Sequence, residues 1–188
     1  MTVAWILKFW YNWEQREWIT MIETNRLTIM KIRECDREAC LDLLTNGIVK
    51  QTYMLPDFEK REDAILLFRR LMDLSNGTAR YLRGIYLQDH LIGYLNEVEK
   101  EGNSMEVGYL IHPDYHNKGY MTEALVAFIE DLFSLGLEEI IAGAFEGNHA
   151  SERVMIKSGM KKLDRYDSVE YRNETHPCFY YHITRKME

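Results

Sequence analysis

The sequence predicts an α/β fold of the α+β kind, in which one mixed sheet carries helices on both of its faces. Two observations lead to this fold class. Strand patterns and helix patterns alternate along the chain from Met21 onward, and three strand patterns in the middle follow one another without a helix between them. The predicted order, β-α-α-β-β-β-α-β-α-β-β, gives about six to seven strands. At 188 residues the chain has the length of one domain.

The individual elements follow from hydrophobic periodicity and from end signals. The helix over 122–135 shows the periodicity best, because Leu125, Phe128 and Leu132 fall on one face. Gly159 is typical of the residue just after a helix, and Pro113 ends the third strand of the central meander. The predicted strands are 27–32, 81–87, 91–98, 104–112, 140–145, 161–171 and 179–185, and the predicted helices start at 36 and cover 62–74, 122–135 and 150–158.

The first 20 residues differ from the rest in composition. All four tryptophans of the chain lie there, at positions 5, 10, 13 and 18. We therefore expect residues 1–20 to be an extension outside the core and residues 21–188 to form a single domain. The alternative is an aromatic arm that packs on a partner chain or on a membrane surface.

The charge and the cysteines exclude several functions. With 23 basic and 30 acidic residues the net charge is −7, which argues against nucleic acid as a partner and is compatible with a cationic substrate or a basic protein. Cys35, Cys40 and Cys178 form no C-x-x-C motif, so we expect no metal site and free thiols in a cytoplasmic protein. No apolar run reaches the roughly 18 residues that a membrane span needs.

The most informative segment runs from Glu106 to Leu125, where a strand, a short loop and a long helix follow one another. The first backbone N–H groups of a helix are unpaired, and the helix dipole is positive there, so this point can bind a phosphate or pyrophosphate. Gly119 would let the backbone approach such an anion closely. A tight turn without a ligand is the alternative interpretation of that glycine.

The segment resembles the GNAT superfamily of N-acetyltransferases. Its acetyl-CoA signature, Gln/Arg-x-x-Gly-x-Gly/Ala, aligns with His116, Gly119 and Met121, so the first and last positions depart from it. Asn148-His-Ala-Ser151 and then Val154-Met-Ile-Lys-Ser-Gly-Met160 also resemble the family pattern.

The start of the domain, Met21-Ile-Glu-Thr-Asn-Arg-Leu-Thr, resembles the Rim-type branch, which acetylates the N-termini of ribosomal proteins. The resemblance covers residues 21–185.

The resemblance implies a mostly antiparallel sheet that is splayed open where acetyl-CoA binds. It also implies that Ile111 and His112 pair with the pantetheine arm, and that Asn148 holds the arm from the next strand. An ordinary helix N-cap is the alternative role of Asn148. The pyrophosphate would lie on backbone N–H groups of the loop and helix start, that is of Asn117, Lys118, Gly119, Tyr120, Met121 and Thr122.

Two side chains are candidates for catalysis. Many family members have a tyrosine as general acid where this chain has Met155, so Ser151 is predicted to hydrogen-bond the leaving sulfur instead. Glu106 is the predicted base, and a mild base suffices for an α-amine, whose pKa is about 7.7–8.0. The alternatives are a solvated strand-end carboxylate for Glu106 and an ordinary first-turn serine for Ser151.

The resemblance implies direct transfer of an acetyl group from acetyl-CoA to a primary amine, with a protein N-terminus as acceptor. A small cationic amine, such as a polyamine or an antibiotic, is the alternative acceptor. A module that binds acyl-CoA without catalysis is the alternative of a different class. A homodimer is left open as an assembly.

Overall fold

Within residues 21–186, the part of the chain that the computed structural model describes, eight strands form one sheet. The strands are β1 (Met21–Glu23), β2 (Leu27–Met30), β3 (Leu82–Leu87), β4 (His90–Glu101), β5 (Ser104–Ile111), β6 (Glu139–Phe145), β7 (Lys161–Tyr171) and β8 (Glu174–Thr184). They lie in the order β1-β2-β3-β4-β5-β6-β8-β7. Only the β5–β6 pair is parallel among these strands, so the expected mixed, mostly antiparallel sheet is confirmed.

Helices cover both faces of the sheet, as predicted. In the described residues they are α1 (Arg37–Thr45), α2 (Val49–Thr52), α3 (Arg61–Asn76), α4 (Tyr120–Ser134) and α5 (His149–Lys157). One hydrophobic core joins the sheet to α4 and α5, and the other joins it to α1, α2 and α3. No helix of residues 21–186 is long and apolar enough to cross a membrane.

Strand β5 takes part in both cores. Met105 and Val107 pack on the α4 side, whereas Leu110 packs on the α1–α3 side. Successive side chains of a strand point to opposite faces, so a strand that is apolar on both sides is held between two layers. This burial fixes the position of the strand from which the site is built.

The sheet opens between β5 and β6. Residues 104–107 pair with residues 139–142, and the pairing ends there. Strand β5 continues to Ile111 and β6 to Phe145 without pairing to each other. The splay that the family resemblance implies therefore lies just beyond Val107 and Ala142.

The structure corrects some element boundaries and the number of strands, which is eight rather than six to seven. The additional strand β1 has three residues, too few to show an alternating pattern. The helix α2 is a single turn that periodicity did not reveal. Strand β8 begins at Glu174 instead of 179, because polar residues and Pro177 at its start concealed the pattern. The predicted extension at residues 1–20 lies outside the described residues.

Gly93 of β4 allows the closest approach between β4 and β5. A Cβ atom at this position would lie 2.3 Å from the carbonyl oxygen of Leu110 and 3.0 Å from Cα of Ile111. Both are backbone atoms of β5, so neither can move aside as a flexible side chain would. A side chain at residue 93 would therefore push β5 away from its partner.

We expect Gly93→Ala to lower the free energy of unfolding by about 1–3 kcal/mol, the usual cost of overpacking. The matched control is Gly47→Ala, because a Cβ there meets no atom within 4 Å and the residue does not have a positive φ. That control should be neutral or stabilising by about 0.4–1 kcal/mol. Urea unfolding of the three proteins measures both effects, and equal midpoints would contradict the packing argument.

Candidate functional site

A groove of about 480 Å³ opens where β5 and β6 part. Its wall comes from the end of β5, the loop before α4, the first turn of α4, the start of α5, and α2 with its flanking residues. Most residues that the sequence predicted for the donor site line this groove, namely Ile111, Asn117, Gly119, Tyr120, Met121, Thr122, Asn148 and Ser151. Glu106, His112 and Lys118 are not among its lining residues.

The loop before α4 has the backbone conformation of an anion site. Asn117 and Gly119 both have positive φ, 59° and 78°, a conformation that Asn and Gly adopt more readily than other residues. Gly119 is the N-cap of α4, and no side chain caps the helix there. Alternating left-handed residues turn successive N–H groups toward one point, and the dipole of a 15-residue helix adds to that positive end.

A network behind the loop holds it in place. Arg26 donates from Nη1 to the carbonyl oxygen of Lys118 at 2.9 Å and from Nε to Glu123 at 2.6 Å. Thr24 donates from its hydroxyl to Glu123 at 2.7 Å. Although burial opposes it, these hydrogen bonds keep the pKa of Glu123 below its ordinary value. The β1–β2 turn thus fixes the first turn of α4 from the side away from the groove.

The side chains of Lys118 and His116 in this loop both contact backbone carbonyl oxygens. Lys118 donates from Nζ to the carbonyl oxygen of Asp114 at 2.8 Å. His116 places Nε2 3.1 Å from the carbonyl oxygen of Ile111. The Lys118 ammonium group is therefore held within the loop, and Lys118 does not line the groove.

The two residues predicted to pair with pantetheine behave differently. The N–H of His112 donates to the carbonyl oxygen of Ile92 in β4 at 2.8 Å, so it is not available to a ligand, and the prediction is corrected at this residue. The His112 side chain accepts from the N–H of Asp114 at 3.3 Å. Alternate residues of a strand direct their backbone groups to opposite neighbours. The backbone N–H and C=O of Ile111 therefore face away from β4, toward the open side of the splay.

At the start of α5, Asn148 and Ser151 form one hydrogen-bonded unit. Asn148 Oδ1 accepts from the N–H of Ser151 at 3.2 Å, which makes Asn148 the helix N-cap. Asn148 Nδ2 donates to Ser151 Oγ at 3.1 Å. The Asn148 amide is thus anchored to the helix while it lines the groove. Ser151 is held with its hydroxyl oxygen accepting, so its own hydrogen remains to donate elsewhere.

The sequence predictions missed several lining residues, among them Tyr109 of β5 and Arg153 and Lys157 of α5. Tyr109 donates its phenol O–H to the carbonyl oxygen of Ser151 at 3.2 Å and so links β5 to α5 across the splay. Arg153 and Lys157 lie one helical turn apart on α5 and are exposed on the groove. The spacing of four residues between two cations was the available signal. Tyr109 gave none, because tyrosines in strands commonly belong to the core.

Met155 is fully buried in the core that joins the sheet to α4 and α5. The side chain at the position of the usual family tyrosine therefore packs inward and does not line the groove. No group of His, Cys, Asp or Glu side chains in residues 21–186 is arranged to hold a metal ion.

Glu106 lies on β5 directly before the splay, on the face opposite to Met105 and Val107. Its side chain is partly buried, with 18% exposed. Burial raises the pKa of Glu106, and Arg165, whose Nη1 lies 3.4 Å from Glu106 Oε2, acts in the opposite direction. A carboxylate with a raised pKa directly before the splay of β5 and β6 is suited to accept a proton.

Fold and site together combine a mixed, mostly antiparallel sheet that opens between β5 and β6 with a groove lined by an uncapped helix start. The chain belongs to the GNAT acetyltransferase family, because the family model described as "Acetyltransferase (GNAT) domain" matches residues 26–161. It is 30% identical over 160 residues to the uncharacterized N-acetyltransferase YoaA of Bacillus subtilis (strain 168), which covers 82% of this chain and 90% of that protein.

Solved structures agree with this assignment. The GNAT-family acetyltransferase from Bacillus anthracis superposes with a TM-score of 0.74 at 26% identity and covers 87% of this chain and 98% of its own. The fold is also that of RimL, a ribosomal L7/L12 alpha-N-protein acetyltransferase solved in complex with coenzyme A. That likeness has a TM-score of 0.75 at 17% identity over 87% of this chain and 97% of RimL.

Replacing Glu123 with Gln is expected to lower the free energy of unfolding at pH 7 by about 1 kcal/mol, since charged hydrogen bonds are lost but Arg26 is 46% exposed. Because the pKa of Glu123 is lower in the folded protein, the wild-type advantage is complete above the ordinary Glu pKa of about 4.3. It disappears as the pH falls through the folded value. Thermal unfolding of both proteins between about pH 3 and pH 7 measures this, and a pH-independent difference would contradict it.

Proposed function

We propose that this acetyltransferase moves an acetyl group directly from acetyl-CoA to a primary amine, and that the amine is the N-terminus of a protein. The observation that carries the proposal is the single groove that joins a backbone anion site to the end of β5. Its volume of about 480 Å³ and its lining suit a donor with a pyrophosphate at one end and a thioester at the other.

The residues present fit acetyl-CoA as donor. The N–H groups around Gly119 offer an uncapped helix start to the pyrophosphate, and the chain's own network of Arg26 and Glu123 fixes that start. Arg153 and Lys157 add positive charge along the same groove. At the splay, the open edge of β5 at Ile111 can pair with the amide groups of the pantetheine arm as a strand would. Coenzyme A in the RimL structure supports this placement by analogy.

Glu106 serves as the base in the proposed reaction. An acceptor amine arrives partly as ammonium, because its pKa of about 7.7–8.0 lies above neutral pH. Glu106 takes one proton from the ammonium, and the freed lone pair of the nitrogen forms the new C–N bond while the C–S bond of the thioester breaks. The second proton of the nitrogen passes to the departing thiolate, so that the products are an amide and the coenzyme A thiol. Since Glu106 lies on the α1–α3 face of β5 whereas the anion loop leads into α4 on the other face, the acceptor and the donor approach the splay from opposite faces.

Ser151 assists the departing sulfur in this mechanism. Its oxygen accepts from Asn148, so its hydroxyl hydrogen is free to stabilise the thiolate. Little assistance is required, since a thiol has a pKa of about 8.5. A neutral hydrogen bond of this kind contributes about 1 ± 0.5 kcal/mol.

The acceptor is the N-terminus of a protein in this proposal, as the Rim-like opening of the domain and the RimL likeness favour. Release of coenzyme A thiol with a panel of amines tests it. Turnover with a peptide N-terminus supports the proposal, whereas turnover only with a polyamine such as spermidine assigns a small-molecule acceptor. Coenzyme A binding without turnover on any amine indicates a module that binds acyl-CoA without catalysis.

We expect Gly119→Ala to weaken coenzyme A binding about tenfold, because alanine is strained by roughly 1–2 kcal/mol at a left-handed φ and the loop would relax away from the anion. The matched control is Gly102→Ala, in the β4–β5 turn. Gly102 also has a positive φ, 56°, and its Cβ would meet nothing within 4 Å. Calorimetry should show unchanged affinity for the control, and unchanged affinity in both variants would remove the anion-loop assignment.

The catalytic assignments are tested by Glu106→Gln and Ser151→Ala. Glu106→Gln should lower kcat about 100-fold, the lower end for a general base, because an α-amine is already partly neutral. Ser151→Ala should lower kcat by only about tenfold and leave coenzyme A affinity unchanged, as expected for a hydrogen bond made in the transition state. Steady-state kinetics with a peptide acceptor measures both. Wild-type kcat in either variant would contradict the role given to that residue.

A further inference from the structure

Arg165 reaches Glu106 from a distant part of the sheet. Arg165 lies on β7 and Glu106 on β5, and strands β6 and β8 lie between them. The guanidinium Nη1 is nevertheless 3.4 Å from Glu106 Oε2. An ion pair that crosses two strands needs a local irregularity in β7 that directs the arginine side chain over the sheet.

A bulge in β7 is that irregularity. Lys162 pairs with Tyr181 and Tyr166 pairs with Phe179, so residues 163–165 of β7 lie opposite the single residue Tyr180 of β8. Extra residues in one strand bend it and redirect its side chains. Arg165 is the last residue of this bulge, and its side chain turns across β8 toward the splay.

Tyr180 supports the guanidinium along its path. The Cζ atom of Arg165 lies 3.8 Å from the centroid of the Tyr180 ring, within the range of a cation–π contact. The ring itself lies on the backbone of Gly143, where a Cβ atom would be 2.8 Å from Tyr180 Cε1. Gly143 is the first residue of β6 after its pairing with β5 ends. The glycine therefore lets the ring lie flat at the splay.

Asp167 fixes the other edge of the guanidinium. Arg165 donates from Nε to Asp167 Oδ2 at 2.9 Å, which leaves Nη1 directed at Glu106. One arrangement of the Arg165 side chain is thus favoured by four features, namely the bulge in β7, Tyr180, Gly143 and Asp167. An exposed salt bridge formed by chance would not need them.

We propose that Arg165 is a positioning residue that holds the Glu106 carboxylate, in its ionised form, at the point where β5 and β6 part. This inference rests on the proposed function, in which Glu106 is the base. Arg165 does not touch the acceptor in this role. It acts through Glu106 and keeps that carboxylate ready to take a proton.

The groups around Glu106 explain why a cation is needed there. Burial raises the pKa of Glu106, and the negative charges of Glu99 and Asp167 raise it further. Cys178 and Tyr180 also face it, and both have raised pKa values, so they are neutral at pH 7. Among the described groups that act on Glu106, Arg165 is the one that lowers its pKa. Removing Arg165 therefore raises the pKa and leaves less of Glu106 ionised at a given pH.

The test is the pH profile of kcat/KM for Arg165→Met, measured with acetyl-CoA and a peptide acceptor. We expect the acidic limb of the profile to move to higher pH by about one unit. At a pH on that limb, kcat/KM of the variant should be about tenfold lower than that of the wild type, and above the limb the loss should be smaller. Arg165→Lys keeps the charge and should restore part of the shift, although lysine cannot lie flat on Tyr180. The control is Arg61→Met. It breaks the exposed ion pair between Arg61 of α3 and Glu38 of α1 and should leave the profile unchanged.

The outcomes separate this inference from the proposed function. If Glu106→Gln loses activity but Arg165→Met keeps the wild-type acidic limb, Arg165 has no positioning role. If Glu106→Gln itself keeps wild-type activity, the proposed base is wrong, whatever Arg165 does. Arg165→Gln, read by the same profile, replaces Arg165→Met if circular dichroism shows that the methionine variant does not fold.

Discussion

The site depends on the short length of the ladder between β5 and β6. The parallel ladder covers residues 104–107 and 139–142 and then stops, although both strands continue. Unpaired backbone groups inside a protein are costly, so an open ladder of this kind is maintained only where something else can satisfy them. Here His116 Nε2 lies 3.1 Å from the carbonyl oxygen of Ile111 at the open edge of β5. The remaining open edge of β5 is what a strand-like ligand can use.

This gap also divides the proposed chemistry between the two faces of the sheet. The loop before α4 and the start of α5 lie on one face, and Glu106, Arg165 and Tyr180 lie on the other. Both faces are held by contacts from outside the groove. Arg26 fixes the loop from the β1–β2 turn. The hydroxyl oxygen of Tyr171 in β7 lies 3.0 and 2.9 Å from the carbonyl oxygens of Lys50 and Leu55, which ties β7 to α2 and the loop after it. Hydrogen bonds from outside the groove therefore hold elements on both sides of the gap.

Local patterns in the sequence predicted the parts that depend on local physics. The apolar faces of β5 and α4 and the loop around Gly119 could be recognised, because periodicity and helix-start chemistry act over a few residues. The one-turn helix α2 and the three-residue β1 carry too little pattern. Arg165 could not be found, because its importance comes from a bulge and from Glu106, which is 59 residues away in the chain. The His112 prediction was wrong because alternate residues of a strand face different neighbours, and one residue of register decides which.

The buried Met155 shows where the chemistry of the leaving group can occur in the proposed reaction. A tyrosine at that position would have to place its hydroxyl among apolar side chains, where an unpaired polar group is costly. Ser151 lies one helical turn earlier, at the groove, with its oxygen already held by Asn148. A thiolate is a good leaving group near neutral pH and needs only a weak donor, so a serine hydroxyl is chemically sufficient. The more demanding step of the proposed reaction is removal of the proton from the ammonium. This is the step in which Glu106 would accept the proton and Arg165 would hold the Glu106 carboxylate in place.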